Sequence, residues 1–250
     1  MSVDFLVTWV MVLLRALGII LQLPVLAGHP IPIPVRVGIA VCLANLVVGL
    51  IPPSSVDFSL WPLLAAAARE VLVGLAMGFV VRLTFGAVEM AGRVISSEVG
   101  FNATPGMGVP EPSSEPLAAL LGALAVVLFF LFGGHHGVLT AFVRSFHHVA
   151  AGRPLLAAGA DSSLVAGTAA MIELGFRIAA PFIAMNFLVT LAFAVLARAV
   201  PRTNVFIVSL PARSLLGLGL LGTAGSLVAR YLYVEFGDLP LRMLHLLPGR

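Results

Sequence analysis

Apolar residues in this chain arrive in long blocks, without the alternation of a half-buried strand or the three-and-four spacing of a soluble amphipathic helix. The first block runs from about Phe5 to Ala27, broken only by Arg15 and Gln22, and exceeds the roughly 20 helical residues that cross a hydrocarbon core. Its run continues past any plausible cleavage position, so it reads as a first span and not as a removed signal peptide. Pro30, Pro32 and Pro34 then predict an extended, stiff linker, because each proline biases the residue before it away from the helical region. A second block, Val37 to Ile51, is short for a span and stops at Pro52-Pro53. The third runs from about Leu60 to Val88 and contains Arg69-Glu70.

The chain is divided at residues 98–116, where Pro105, Pro110, Pro112 and Pro116 are interleaved with Gly100, Gly106 and Gly108. Proline lacks the N–H and glycine loses the most backbone entropy, so no continuous helix is expected here. Within this break the apolar residues are Phe101, Met107 and Val109. The reading is one membrane domain over 1–250, with an N-terminal helical block 1–97, a central loop 98–116 and a C-terminal helical block 117–250.

After the break, Leu117 to Phe132 carries no charge and ends at Gly133-Gly134-His135-His136-Gly137. Val138 to Ala150 is less apolar, and Leu164 to Ala199, about twice the length of a span, contains Pro181 and predicts a kinked helix or a helical pair. Val205 to Val234 is the last block, followed by a short amphipathic tail. The pattern therefore predicts an all-α polytopic membrane protein of roughly six apolar blocks, four of them long enough to span comfortably.

Composition supports that class. Hydrophobic residues are 60% of the chain and charged residues 10%, against about 25% charge in soluble domains. All 14 basic residues are arginine, spread singly, so the clustered footprint that nucleic acid requires is missing from the sequence and no such partner is expected. The single cysteine, Cys42, sits in an apolar run and reads as a buried small hydrophobe. Arginines divide evenly between the two sides of a six-span scheme, which leaves orientation open.

Among candidate chemistry, Arg82, Glu89 and Arg93 fall near one helical face, and Glu173 with Arg177 has the i,i+4 spacing of an ion pair. Embedded charges of this kind face a polar interior, a partner or each other. They read as structural ion pairs buried between helices, with an ion or small-molecule permease path along the Arg82, Glu89, Arg93 face as the alternative. Gly74-x-x-x-Gly78, and Gly217 with Gly222 in the last block, read as small faces for close helix packing. His135-His136 and His147-His148 lack a nearby cysteine or carboxylate to complete a metal site. No nucleophile, base and acid stand at a recognisable spacing, and no glycine loop precedes a lysine. The sequence therefore points away from an enzyme and calls for no cofactor.

Five segments, in order, resemble the FliR family of flagellar biosynthesis proteins and its SctT relatives of type III secretion: 13–40, with LLRALGIILQLPVLAGHPIPIPVRVGIA; 69–79, with REVLVGLAMGF; 91–101, with AGRVISSEVGF; 131–152, with LFGGHHGVLTAFVRSFHHVAAG; and 181–211, with PFIAMNFLVTLAFAVLARAVPRTNVFIVSLP. The 131–152 and 181–211 segments point to the flagellar branch. Val109-Pro110-Glu111-Pro112 departs from the family's aspartate-proline pair, and Arg202 stands where glutamine is common.

The resemblance implies helical hairpins in a helical export-gate assembly with FliP-like and FliQ-like membrane subunits and an FlhB-like one. It implies a place in the bacterial inner membrane at the flagellar basal body, and passage of unfolded flagellar proteins through the gate. By the same resemblance the central stretch is a plug, with Phe101, Met107 and Val109 as the sealing residues.

Overall fold

The computed structural model describes residues 3–24, 31–54, 59–100, 116–153, 156–200 and 205–248. Among these residues there are α-helices and one short 3-10 turn, and no strands: α1 (Val3–Gln22), α2 (Ile33–Val47) with its turn (Val48–Leu50), α3 (Leu60–Val99), α4 (Pro116–Leu131), α5 (Gly134–His148), α6 (Ala160–Ala199) and α7 (Val205–Leu244). Five of the helices are long and apolar enough to cross a membrane, and α4 with α5 would make a sixth, broken span. The chain is a helical polytopic membrane protein, as the block pattern predicts.

Element boundaries sharpen the block pattern in four places. The proline-rich linker ends sooner than expected: α2 starts at Ile33 with extended Pro32 as its N-cap and Pro34 in its first turn, where a missing N–H costs no intrahelical bond. The third block continues as helix through Val99, so Arg93 and Glu98 are helical residues. Leu164 to Ala199 lies inside one 40-residue helix that keeps Pro181 within it. The tail after Val234 is not a separate segment, because α7 runs on to Leu244.

The helices gather into two units, each drawing on both sides of the central stretch. The first contains 1–84, 129–169 and 235–250. Its interior is built from Val12, Ala16 and Ile19 of α1, Val73, Met77 and Val81 of α3, Ala141 and Phe142 of α5, and Leu239 and Met243 of α7. Trp9 Nε1 donates to Asn45 Oδ1 at 2.7 Å, which brings the end of α2 back beside α1 as a hairpin. Of α2 only Ala40, Ala44 and Val47 are buried, a single line at helical spacing. Cys42 stands off that line and is exposed, against the expectation of burial.

The break between α4 and α5 also belongs to this unit. Gly133 has φ +72, a conformation open to glycine because it has no Cβ to strike the following carbonyl. Phe129 packs edge-on against Phe130 and Phe236, and His135 and His136 lie with ring centroids 3.9 Å apart beside them.

The second unit contains 85–128 and 170–234. Ala87, Val88, Ala91 and Ile95 of α3, Leu121 and Ala125 of α4, Ile178, Ala179 and Phe182 of α6, and Val228 and Leu232 of α7 form its interior. Here α3 and α6 run parallel: Gly86 lies against Met171, Gly175 against Ala87 and Met90, and Glu98 accepts a hydrogen bond from Asn186 Nδ2, so the paired positions advance in the same direction on both helices.

Candidate functional site

A buried, hydrogen-bonded polar constellation lies in the first unit, where α1 packs on α3. Glu70, Gly74, Gly78 and Arg82 recur every four residues and form one line on α3. A side chain at Gly74 would strike the carbonyl oxygen of Arg15 and come within 3.0 Å of Gly18 Cα, and one at Gly78 would meet Gln22 Cβ at 2.8 Å and the Ile19 carbonyl at 2.9 Å. The two backbones thus touch at glycine, and the paired positions advance together, so α1 and α3 are parallel.

Close approach fixes what the flanking charges can reach. Arg15 Nε donates to Glu70 Oε2 at 2.6 Å and Nη2 to Oε1 at 3.2 Å, a side-on bidentate pair. Neither side chain is exposed to solvent. Arg15 Nη1 donates to Ser145 Oγ at 2.8 Å and Nη2 to the Val149 carbonyl at 3.3 Å, while Ser145 Oγ donates to the Phe142 carbonyl at 2.6 Å. The Gly152 N–H donates to Glu70 Oε1 at 2.8 Å, and the guanidinium carbon lies 4.0 Å from the centroid of the Phe146 ring.

Opposite charges and hydrogen bonds together make such a buried cluster tolerable, since an isolated buried ion would cost far more than its partner returns. It ties α1, α3, α5 and the turn after α5 at one point. At the other end of the line Arg82 Nη1 donates to Gln22 Oε1 at 3.0 Å. The glycines set the spacing and the polar ends set the register, since a contact repeating every four residues would otherwise tolerate a one-turn slip.

The same sequence matches, over residues 6–239, the family described as bacterial export proteins, family 1. The chain belongs to that family. It is 27% identical over 232 residues to the flagellar biosynthetic protein FliR of Escherichia coli, covering 91% of this chain and 87% of that protein. Identity to the FliR protein of Bacillus subtilis is 29% over 218 residues, covering 84% and 82%. The Yop proteins translocation protein T of Yersinia pestis is 25% identical over 217 residues, again 84% and 82%. The resemblance to the FliR family and to its type III secretion relatives therefore stands.

In this member of the bacterial export family, the charges singled out from spacing are placed differently from the buried pairs expected. Arg82, Glu89, Arg93, Glu173 and Arg177 are all exposed on the chain. Along α3 the inward positions include Val81, Thr84, Phe85, Val88, Ala91 and Ile95, so residues 89 and 93 fall on the other side, and Arg82 lies at the edge, where it reaches Gln22 of α1. Glu173 and Arg177 do pair, at 2.5 Å, with side chains 61% and 60% exposed.

The packing glycines divide. Gly74 and Gly78 stand against α1, and Gly217 stands against the Val99 side chain, but a side chain at Gly222 would meet nothing within 4 Å. Gly222 instead lines an open apolar pocket of about 420 Å³ with Ile95, Leu121, Phe182, Leu218 and Val228. Phe101, Met107 and Val109 lie outside the described residues.

Sequence reasoning passed over Arg15 and Glu70. Glu70 adjoins Arg69 in sequence, yet adjacent helical residues do not face each other, and Arg69 is exposed while Glu70 is buried. The usable signal was that Arg15 is the sole charge in its block and requires an acid from elsewhere in the chain.

Proposed function

We propose that this protein is a non-enzymatic subunit of the flagellar type III export gate. In this reading it assembles with FliP-like and FliQ-like membrane subunits, and contacts an FlhB-like one, in the bacterial inner membrane at the flagellar basal body. The assembly encloses the pore through which unfolded flagellar subunits pass. Membership of the export family, and likeness to the FliR and Yop translocation proteins, make the chain a component of a flagellar or type III export apparatus.

The observation that carries the finer reading is helix length set against burial. Helices α3, α6 and α7 have 40 residues each, about 60 Å at 1.5 Å per residue, twice the roughly 30 Å of a hydrocarbon core. In the apolar stretches of α6 and α7 only 22% of the residues are buried by the chain itself. The bilayer covers about half of such a helix, and other subunits are the natural cover for the remainder. Phe101, Met107 and Val109 are assigned by the same reading to the seal of the closed pore.

Co-expression with the two smaller membrane subunits tests it. The expected outcome is one stable detergent-solubilised complex, with the chain aggregating or being degraded when produced alone. A chain that is stable and monodisperse by itself, ignores those subunits and moves ions or small solutes would overturn the reading in favour of a permease.

A further inference from the structure

The two halves of α6 within the second unit place their polar groups differently, inward in the later half and outward in the earlier one. In the later half, Asn186 Nδ2 donates to Glu98 and Arg213 Nη2 donates to Thr190 Oγ1 at 3.2 Å, so these polar side chains are tied to α3 and α7 of the same unit, although Asn186 Oδ1 and Arg213 Nε have no partner among the described residues. The outward residues there are bulky and apolar: Phe187 is 67% exposed, Leu188 62% and Val195 65%. In the earlier half, Leu174, Ile178 and Ala179 face inward, and the Glu173–Arg177 pair points out. Along α6 itself the exposed residues flanking that pair include Ala169, Ala170, Ile172, Phe176, Ala180 and Ala184, all apolar.

Arg177 carries five N–H donors. One bonds to Glu173 Oε1, and the other four have no partner among the described residues. An aqueous or headgroup-facing surface would surround such a guanidinium with further polar residues, and a lipid-facing one would not carry it. An outward-pointing ion pair flanked on its own helix by alanines and apolar side chains, with donors in excess, fits a protein contact whose other side brings acceptors.

We propose that the outward face of α6 from Ala170 to Ala184 is the docking face for a helix of a partner membrane subunit. That helix carries small residues for close approach and at least one acceptor side chain, a carboxylate, amide or hydroxyl, that takes the spare Arg177 donors. The same face from Phe187 to Val195 meets lipid. The proposal rests on the assembly reading above and adds which face is used, where it ends and what chemistry it meets.

The test uses the co-expressed complex in a Cys42→Ser background, with a benzophenone maleimide attached to Ala180→Cys or Leu191→Cys and then irradiated. Position 180 is expected to give a covalent adduct with a partner subunit, and position 191 none with protein. In parallel, Arg177→Glu is expected to lower recovery of the complex by about tenfold or more, with Leu191→Cys, on the same face, leaving it unchanged. Adducts at 180 confined to lipid, to solvent or to a second copy of this chain, with the complex intact, overturn the docking face and leave the assembly reading standing. If the unsubstituted chain recovers no partner subunit, both fall together.

Discussion

The guanidinium of Arg15 and the carboxylate of Glu70, 55 residues apart in sequence, meet at 2.6 Å with neither side chain reaching solvent. Removing one member leaves the other buried and uncompensated, at a cost of about 3–5 kcal/mol, whereas replacing both by apolar residues of similar size is often close to neutral. Arg15→Met and Glu70→Met alone should each lower the thermal midpoint of the detergent-solubilised complex sharply. The double variant should recover most of the loss. A double variant as unstable as the sum of its singles would show that the two side chains are not coupled.

Glycine substitutions should separate by what each site touches. In a helix interior Gly→Ala gains about 1 kcal/mol of backbone propensity. At Gly74 the added methyl meets backbone of α1, which cannot rotate away, and overpacking of about 1–3 kcal/mol or more outweighs that gain. At Gly222 nothing lies within 4 Å. Gly74→Ala should therefore destabilise the chain and Gly222→Ala leave it unchanged or slightly more stable, by thermal unfolding of both in the same detergent. Equal effects would remove the distinction.

Gly217 offers a rescue. The three nearest atoms there are Cγ2, Cγ1 and Cβ of Val99, and truncation to alanine removes the two closest. Gly217→Ala should reduce stability, and Gly217→Ala with Val99→Ala should restore part of it, a coupling expected at about 0.5–3 kcal/mol for residues in contact. Simple additivity in thermal or proteolytic stability would place the two side chains out of contact.

For the pore, an apolar constriction excludes water and ions by dewetting, and polar substitution opens it. Phe101→Ser with Met107→Ser is expected to raise ion conductance of membranes holding the assembled complex, with flagellar protein export kept or only reduced. Wild-type conductance from a normally assembled variant would assign the seal to other residues.

What the amino-acid sequence determined by itself was the class of the protein and the identity of its elements. Long uncharged blocks can be covered only by lipid or by other helices, and this holds whatever their tertiary neighbours are. Gly74 and Gly78 were legible as a packing face, because a bare backbone at i,i+4 spacing has one obvious use. Partnership was decided only in three dimensions. Arg15 finds Glu70 because glycines 18, 74 and 78 let α1 and α3 approach in parallel, a relation between segments that no local pattern encodes. The same holds for exposure. Spacing places Glu173 and Arg177 on one face of α6, but whether that face turns inward depends on which side Leu174 and Ile178 find their neighbours. Gly217 and Gly222 are alike as residues, and they differ only because Val99 of α3 lies against one and an open pocket against the other.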